Sequence, residues 1–157
     1  MRIKKGGIEV WCRKETRSTM QKTGLNKIYR IIDANYNRTT EGLRVLEDIS
    51  RFILDDKRLQ QQIKKIRHTI KNIIAGQFGN RILIQNRNSQ KDVGRCFTIK
   101  DEKKRKNFSD IIYANAKRIT ESLRVIEEIM KLITKKNNIK KLRYQVYSIE
   151  KKIISKL

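Results

Sequence analysis

One segment of the chain occurs twice, in two diverged copies. Residues 31–49 read IIDANYNRTTEGLRVLEDI, and residues 111–129, 80 positions later, read IIYANAKRITESLRVIEEI, with 12 of 19 positions identical. A second segment repeats 76 positions apart, as IKKIRHTIKNI in residues 63–73 and IKKLRYQVYSI in residues 139–149. Polar positions match as well as apolar ones, so a shared helical period does not account for the agreement. We therefore expect two related structural units.

The repeated unit is predicted to be a helical hairpin. In its first segment apolar residues recur every three or four positions, at Ile28, Ile31, Ile32, Val45, Leu46, Ile49, Phe52 and Ile53. The second segment repeats that period at Leu59, Ile63, Ile66, Ile70, Ile73 and Ile74, after two aspartates that suit a helix N-cap. Proline, the strongest helix breaker, is absent from the chain. The sequence thus predicts an all-α bundle of four main helices, near 25–54, 57–76, 100–134 and 138–156.

Two regions lie outside the predicted hairpins. Residues 1–24 are basic, contain a Gly6-Gly7 pair and show no helical period, which predicts a mobile arm ahead of a single domain at 25–157. Residues 77–99 join the hairpins, 25–76 and 100–156, and are predicted to form a polar loop with a short helical turn around Ile82. Thr98 and Asp101 have the spacing of a capping box, so the third helix is expected to begin near Ile99.

Composition narrows the functional classes. No stretch approaches the roughly 18 to 20 apolar residues that span a bilayer, so we expect no integral membrane protein. The net charge of +23 favours an anionic partner, but the basic residues are spread over every segment and no nucleic-acid recognition motif accompanies them. A basic helical nucleic-acid-binding protein is therefore a minor alternative. Two isolated cysteines, Cys12 and Cys96, fit a reducing cytoplasm better than a disulfide framework.

Polar residues interrupt the apolar stripe of the first predicted helix. Asn35 and Arg38 fall within the stripe and Glu41 at its edge. The third helix repeats the pattern with Asn115, Arg118 and Glu121. If the copies pack about a pseudo-twofold axis, the two sets are expected to meet in one enclosed polar cluster, where small residues at positions 42 and 122 leave room.

Two interpretations of that cluster remain open. It is either a structural network that fixes helix register or a ligand pocket, in which arginines grip a phosphate and carboxylates hold magnesium. The run Arg87, Lys91, Asp92 and Gly94 is either a lid over such a pocket or an ordinary solvated loop. The pairs Arg44/Glu47 and Arg124/Glu127 are expected on the outer face, as surface ion pairs or as part of a homodimer interface.

Three blocks occur in a fixed order. ANxxRxxEGLRVLED and ANxxRxxESLRVIEE flank an RxSxxDVG segment, and LRYQVYSIEK follows them. This set resembles the all-helical alternative hydroxymethylpyrimidine-phosphate kinase family of thiamine biosynthesis, a domain also found fused N-terminal to thiamine-phosphate synthase. The resemblance covers about residues 26–152 and does not extend to the basic first 24 residues.

The resemblance implies a phosphotransferase that uses ATP and Mg²⁺ to convert 4-amino-5-hydroxymethyl-2-methylpyrimidine phosphate to the diphosphate, the substrate of thiamine-phosphate synthase. We assign catalysis to Arg38, Arg118, Glu41 and Glu121, and magnesium to Glu41, Glu121 or Asp92. Substrate binding is assigned to Asn35, Asn115, Arg87, Asp92 and Gly94. No GxxxxGK[ST] phosphate loop is present, and this favours the alternative of a non-catalytic module that binds the pyrimidine phosphate or docks on a separate synthase chain.

Overall fold

The computed structural model describes the backbone of residues 12–94, 104–134 and 138–157, and the side chains within them from residue 24 onward. In these ranges the chain forms five helices and no strand, which confirms the all-α prediction. The helices are α1 (Cys12–Phe52), α2 (Lys57–Phe78), α3 (Asn80–Asn86), α4 (Phe108–Met130) and α5 (Ile139–Ile154). None of the helices in the described part of the chain is both long and apolar enough to cross a membrane.

A four-residue turn joins α1 to α2. The Ile49 carbonyl accepts from the backbone N–H groups of Ile53 and Leu54, at 3.0 and 3.1 Å, which satisfies acceptors at the end of α1. Asp55 has a φ of 49°, a left-handed conformation that aspartate tolerates better than most residues. Asp56 then caps α2, because its carboxylate accepts the Leu59 N–H at 2.9 Å. The predicted aspartate cap is therefore present, on Asp56.

The core lies between the apolar stripes of the four long helices. The most extensive contact is between α1 and α4. The helix α2 packs on α1, α5 packs on α4, and α2 and α5 also contact each other. The side chains buried completely, or nearly so, include Ile32, Leu43, Leu46, Ile63, Ile70, Ile119, Leu123 and Ile126. The helix α3 packs on α1 and α2 through Leu83. The last part of α2 is held against α1 by an edge-to-face contact of Phe78 with Tyr29, 6.0 Å between centroids.

At their crossing, α1 and α4 make two equivalent contacts. The hydroxyl of Thr39 lies 2.7 Å from that of Ser122, and the backbone of Gly42 packs directly against Ile119. Positions 39 and 119 correspond in the two copies, as do positions 42 and 122. Exchanging the copies therefore converts one contact into the other, which is the relation that packing about a twofold axis produces. The two helices run in opposite directions here.

Three predicted boundaries differ from the structure. The helix α1 begins at Cys12 and not near residue 25, because residues 12–23 are mostly good helix formers and the helix tolerates Gly24. The predicted start of the first helix near residue 25 is thus wrong, and residues 1–11 lie outside the described residues. The central segment contains α3, which extends the turn expected around Ile82 to seven residues.

The start of α4 is the third difference. This helix begins at Phe108, not near Ile99, and residues 104–107 are not helical. Asn107 supplies the cap, since its side chain accepts the Asp110 N–H at 2.9 Å while the Asp110 carboxylate accepts the Lys106 N–H at 2.9 Å. These two hydrogen bonds form a cap that fixes the N-terminus of α4. Thr98 and Asp101, on which the prediction depended, lie outside the described residues.

Candidate functional site

Two adjoining clefts flank the middle of α1. The first, which we name the α1–loop cleft, lies between α1 and residues 87–92, just after α3, and has a volume of about 750 Å³. The second, the α1–α4 cleft, has a volume of about 910 Å³. Both volumes are in the range of small-molecule sites, roughly 300 to 1,000 Å³. Asn35 and Arg38 line both clefts and so form the wall between them.

Asn35 is the buried part of that wall. Its side chain is almost fully buried; the amide nitrogen donates to the Ile31 carbonyl at 2.9 Å and the amide oxygen accepts from Arg38 Nη1 at 3.4 Å. In α4 the equivalent Asn115 makes the same backbone bond, to the Ile111 carbonyl at 2.8 Å, and lies in the α1–α4 cleft. These backbone bonds satisfy one amide hydrogen of each asparagine.

The charged residues of the two copies meet, but in contact with solvent. Arg118 Nη2 lies 3.7 Å from Glu41 Oε2, with side chains that are 55% and 65% exposed. Arg38 and Glu121 are also exposed. The expected enclosure of this cluster inside the bundle is therefore wrong. The α1–α4 interface is filled by the small and apolar side chains around Gly42 and Ile119, and the long charged side chains extend beyond it to water.

An ion pair absent from the sequence predictions joins α1 to the segment after α3. Asp33 is almost fully buried and accepts two hydrogen bonds from Arg87, from Nε and Nη2, both at 2.7 Å. The carboxylate raises the pKa of the Arg87 guanidinium further above its ordinary value. Arg87 therefore positions residues 87–94 beside the α1–loop cleft. The sequence signal that could have indicated this pair is the difference between the copies at position 33, because Asp33 corresponds to Tyr113 in the second copy.

The segment after α3 turns on its own side chains. Asn88 Oδ1 accepts the Lys91 N–H at 3.2 Å, and Asp92 Oδ1 accepts the Gly94 N–H at 2.9 Å. Asn88, Ser89 and Asp92 line the α1–loop cleft. Lys91 and Gly94 are exposed, and neither lines that cleft. The segment thus presents one carboxylate, one amide and one hydroxyl to the cleft.

The carboxylates assigned to magnesium are divided between the clefts. Glu41 and Asp92 line the α1–loop cleft, whereas Glu121 lines the α1–α4 cleft. Among the described residues no group of three acidic, histidine or cysteine side chains is arranged to hold a metal ion. Two carboxylates are nevertheless sufficient for Mg²⁺ when phosphate oxygens and water complete its shell. Glu41 and Asp92, which line the same cleft, are the candidates for such a pair.

The arginine and glutamate pairs expected on the outer face have exposed arginines but buried glutamates. The Glu47 side chain is 5% exposed and receives Arg44 of its own helix and Arg67 of α2, at 3.5 and 3.0 Å. In the second hairpin, Glu127 is paired with Arg124 at 3.5 Å and Arg143 at 3.3 Å, but its Oε2 makes no hydrogen bond to the described residues, whereas Glu47 Oε1 also accepts from Gln60 at 3.0 Å. The helical spacing thus predicted the ion pairs but not the burial of the two glutamates. These two clusters tie the helices of each hairpin together.

Comparison with known proteins places the chain in a family. The model of the ThiD2 family matches residues 30–152. Similar proteins include the thiamine-phosphate synthase of Prochlorococcus marinus, 38% identical over 133 residues, which are 82% of this chain and 36% of the relative. The synthase of Synechocystis sp. is 36% identical over 133 residues, 83% of this chain and 37% of the relative.

A third relative, the thiamine-phosphate synthase of Rhodopirellula baltica, is 38% identical over 124 residues, 77% of this chain and 32% of the relative. The chain thus spans about a third of the length of the curated relatives it matches. No solved structure matches it. Because the family model covers most of the sequence, including both copies of the repeat, the chain belongs to the ThiD2 family of thiamine-biosynthesis domains.

Proposed function

We propose that this chain is a kinase of thiamine biosynthesis that uses ATP to phosphorylate 4-amino-5-hydroxymethyl-2-methylpyrimidine phosphate to its diphosphate. The family and the relatives named thiamine-phosphate synthase support the pathway. The diphosphate is the compound that such a synthase consumes, so a thiamine-phosphate synthase is the expected functional partner. The specific reaction is supported by the chemistry of the two clefts.

The reaction needs positioning and charge neutralisation more than covalent catalysis. An oxygen of the substrate phosphate attacks the γ-phosphorus of ATP, the bond from that phosphorus to the β–γ bridging oxygen breaks, and ADP leaves with the electron pair. The attacking oxygen is already an anion, so no general base is required. The site must instead hold two phosphate groups close together against their mutual repulsion.

The observation that carries the proposal is the position of Arg38. Its guanidinium is exposed in the wall between two clefts that are each large enough for a small ligand. Only one of its five N–H groups has a described hydrogen bond, to Asn35, so the planar fork is available to phosphate oxygens on either side. Arg118, one copy away, provides a second cation in the α1–α4 cleft.

Magnesium is expected to participate. When bound, it neutralises the charge that develops on the transferring phosphoryl group and orients its oxygens. Glu41 and Asp92 are the residues that would hold it, because both line the α1–loop cleft and carboxylates are the ligands that Mg²⁺ prefers. Glu121 is separated from them by the wall and is better placed to contact the other ligand.

The direct test is product formation. Purified protein is incubated with the pyrimidine monophosphate and ATP-Mg²⁺, and the diphosphate is measured by ion-exchange chromatography and ³¹P NMR. We expect turnover by the wild-type chain and a loss of at least about 100-fold in Arg38→Ala, the usual cost of removing a charge-stabilising donor. Lys71→Ala, which removes an exposed cation of α2 that lines neither cleft, is expected to retain full activity.

Two results would contradict the proposal. Absence of the diphosphate while the monophosphate still binds would favour a non-catalytic binding module, a possibility that the lack of a glycine-rich nucleotide loop in the sequence keeps open. Turnover that survives in Arg38→Ala would show that the wall residue does not take part. In that case the polar cluster serves only to hold the two helices.

A further inference from the structure

We infer that the two clefts divide the substrates, so that the α1–α4 cleft binds the nucleotide and the α1–loop cleft binds the pyrimidine monophosphate. Arg38 then lies between the γ-phosphate of one ligand and the accepting phosphate of the other. This inference rests on the proposed function and adds to it which cleft holds which substrate. It follows from differences in charge and in polar groups between the clefts.

The charges of the clefts differ. Among the residues that the structure describes, four cationic side chains line the α1–α4 cleft, at Arg38, Arg105, Lys117 and Arg118, against one carboxylate, that of Glu121. Four also line the α1–loop cleft, at Lys27, Arg30, Arg38 and Arg87, but against three carboxylates, at Asp33, Glu41 and Asp92. A triphosphate carries more negative charge than a monophosphate and so gains more from the less neutralised cleft.

The polar groups point the same way. An aminopyrimidine edge presents an amino donor beside a ring-nitrogen acceptor, which a carboxamide recognises with two hydrogen bonds. The α1–loop cleft has three such amides, on Asn35, Asn37 and Asn88, whereas the α1–α4 cleft has two, on Asn35 and Asn115. The carboxylates of Glu41 and Asp92 line the α1–loop cleft as well and can also accept from an amino group.

Both clefts have a small apolar surface. It comes from Ala114 and Val125 in the α1–α4 cleft and from Ile31 and Ala34 in the α1–loop cleft, so the charge is what distinguishes them. An apolar surface beside a row of cations suits a nucleotide, whose base needs cover from water while its phosphates need positive charge. The α1–α4 cleft is also the larger of the two, as the larger ligand requires.

Two links connect the clefts at the wall. Arg38 belongs to both linings, and the Glu41/Arg118 pair joins a residue of the α1–loop cleft to a residue of the α1–α4 cleft across 3.7 Å. A phosphoryl group that crosses from one ligand to the other passes this wall. Arg38 is therefore expected to contact both ligands, whereas cations farther from the wall contact one.

The test measures each ligand separately by isothermal titration calorimetry, with the non-hydrolysable analogue adenylyl imidodiphosphate plus Mg²⁺ and with the pyrimidine monophosphate. Lys117→Ala and Arg30→Ala form a matched pair, since each removes one exposed cation from one cleft. We expect Lys117→Ala to weaken only the nucleotide analogue, by roughly tenfold, and Arg30→Ala to weaken only the monophosphate by a similar factor. Arg38→Ala is expected to weaken both.

The outcomes separate this inference from the proposed function. If the wild-type chain forms the diphosphate but the two variants show the reverse pattern, or both affect the same ligand, the division between clefts is wrong and the kinase activity stands. Competition between the two ligands for the wild-type protein would also overturn it, because separate clefts must fill together. If neither ligand binds and no diphosphate forms, the proposed function itself fails.

Discussion

The two copies of the repeat share the glutamate clamps and the asparagine bonds, and they differ at the position that anchors the segment after α3. Asn35 and Asn115 make the same bond to a backbone carbonyl four residues earlier, and Glu47 and Glu127 are each clamped by two arginines. By contrast, the buried Asp33 of the first copy is replaced by Tyr113 in the second, which is 65% exposed. Only the first copy therefore anchors the segment after α3.

This contrast separates the features that the two hairpins share from those found in one hairpin. The features common to both copies are those that any such hairpin needs, a buried carboxylate clamp between its helices and an apolar stripe. The features found in one copy create unlike surroundings on the two sides of the shared wall. The unmatched Asp33 is thus expected to distinguish the two clefts, whereas the matched glutamate clamps stabilise the hairpins.

The largest expected effect on stability comes from breaking the matched clamps. Arg143→Ala leaves the buried Glu127 carboxylate with one half-exposed arginine, at a cost of about 2 to 4 kcal/mol in the free energy of unfolding. Arg67→Ala is expected to cost less, because Glu47 keeps a hydrogen bond from Gln60 Nε2 besides its half-exposed arginine. Urea denaturation measures both values, and a loss confined to Arg67→Ala would contradict this order.

Gly42→Ala is expected to have the next largest effect. A Cβ at this position would lie 2.7 Å from Ile119 Cγ1, so the α1–α4 crossing must open, with a net loss of about 1 to 2 kcal/mol. Gly76→Ala is the matched control, because a Cβ there meets nothing within 4 Å. It should gain up to about 1 kcal/mol from helix propensity. Equal responses of the two glycines in thermal or urea unfolding would argue against a tight crossing.

The unmatched ion pair is tested with a double-mutant cycle. Asp33→Asn, Arg87→Gln and the double variant should give a coupling energy of about 1 kcal/mol in urea unfolding, kept small by the half-exposed Arg87 side chain. The single variants should also weaken binding of the monophosphate, since residues 87–92 line its proposed cleft. Tyr113→Phe, at the equivalent position of the second copy, should change neither quantity. Zero coupling would mean that Arg87 does not anchor the segment.

The smallest effect concerns the starts of the second helices and depends on pH. Hydrogen bonds from Lys156 and from the Leu59 N–H lower the pKa of Asp56 below its ordinary value. The contribution of these bonds to the free energy of unfolding is therefore complete above the ordinary aspartate pKa, and it is lost as the pH falls through the lowered pKa. Asp56→Asn keeps a capping side chain but does not titrate, so its stability should converge with that of the wild type in acid. Asn138, whose side chain makes no cap bond, is the control: Asn138→Ala should show no such trend.

Much of the fold was predictable because local signals agree with the tertiary structure. The apolar period of the second helix predicted six inward positions; five of them, Leu59, Ile63, Ile66, Ile70 and Ile74, are buried, and Ile73 is partly buried. Asp56 was one of two candidate caps and is the one used. The start of α4 was misplaced because the Asn107/Asp110 box lies within what was taken as helix interior. The extension of α1 was missed because it shows no apolar period, only residues of good helix propensity.

The site was less predictable, for a physical reason. A helical wheel gives the direction of a Cβ atom but not where a long side chain ends, and Arg38 begins beside the apolar stripe and ends in solvent. A helical wheel also cannot identify a partner 54 residues away, so it could not predict the hydrogen bond from Arg87 to Asp33. Asn35, a short side chain, was placed correctly within the stripe and is buried.

The crossing of α1 and α4 has a consequence for exchanging the two hairpins. At one contact glycine faces isoleucine, and at the other serine faces threonine, so each half is filled in its own way. A chimera with the first hairpin in both places would set Gly42 against a threonine and leave an unfilled space. One with the second hairpin in both places would force a serine onto Ile119. At this crossing each hairpin is therefore complementary to the other and not to a copy of itself.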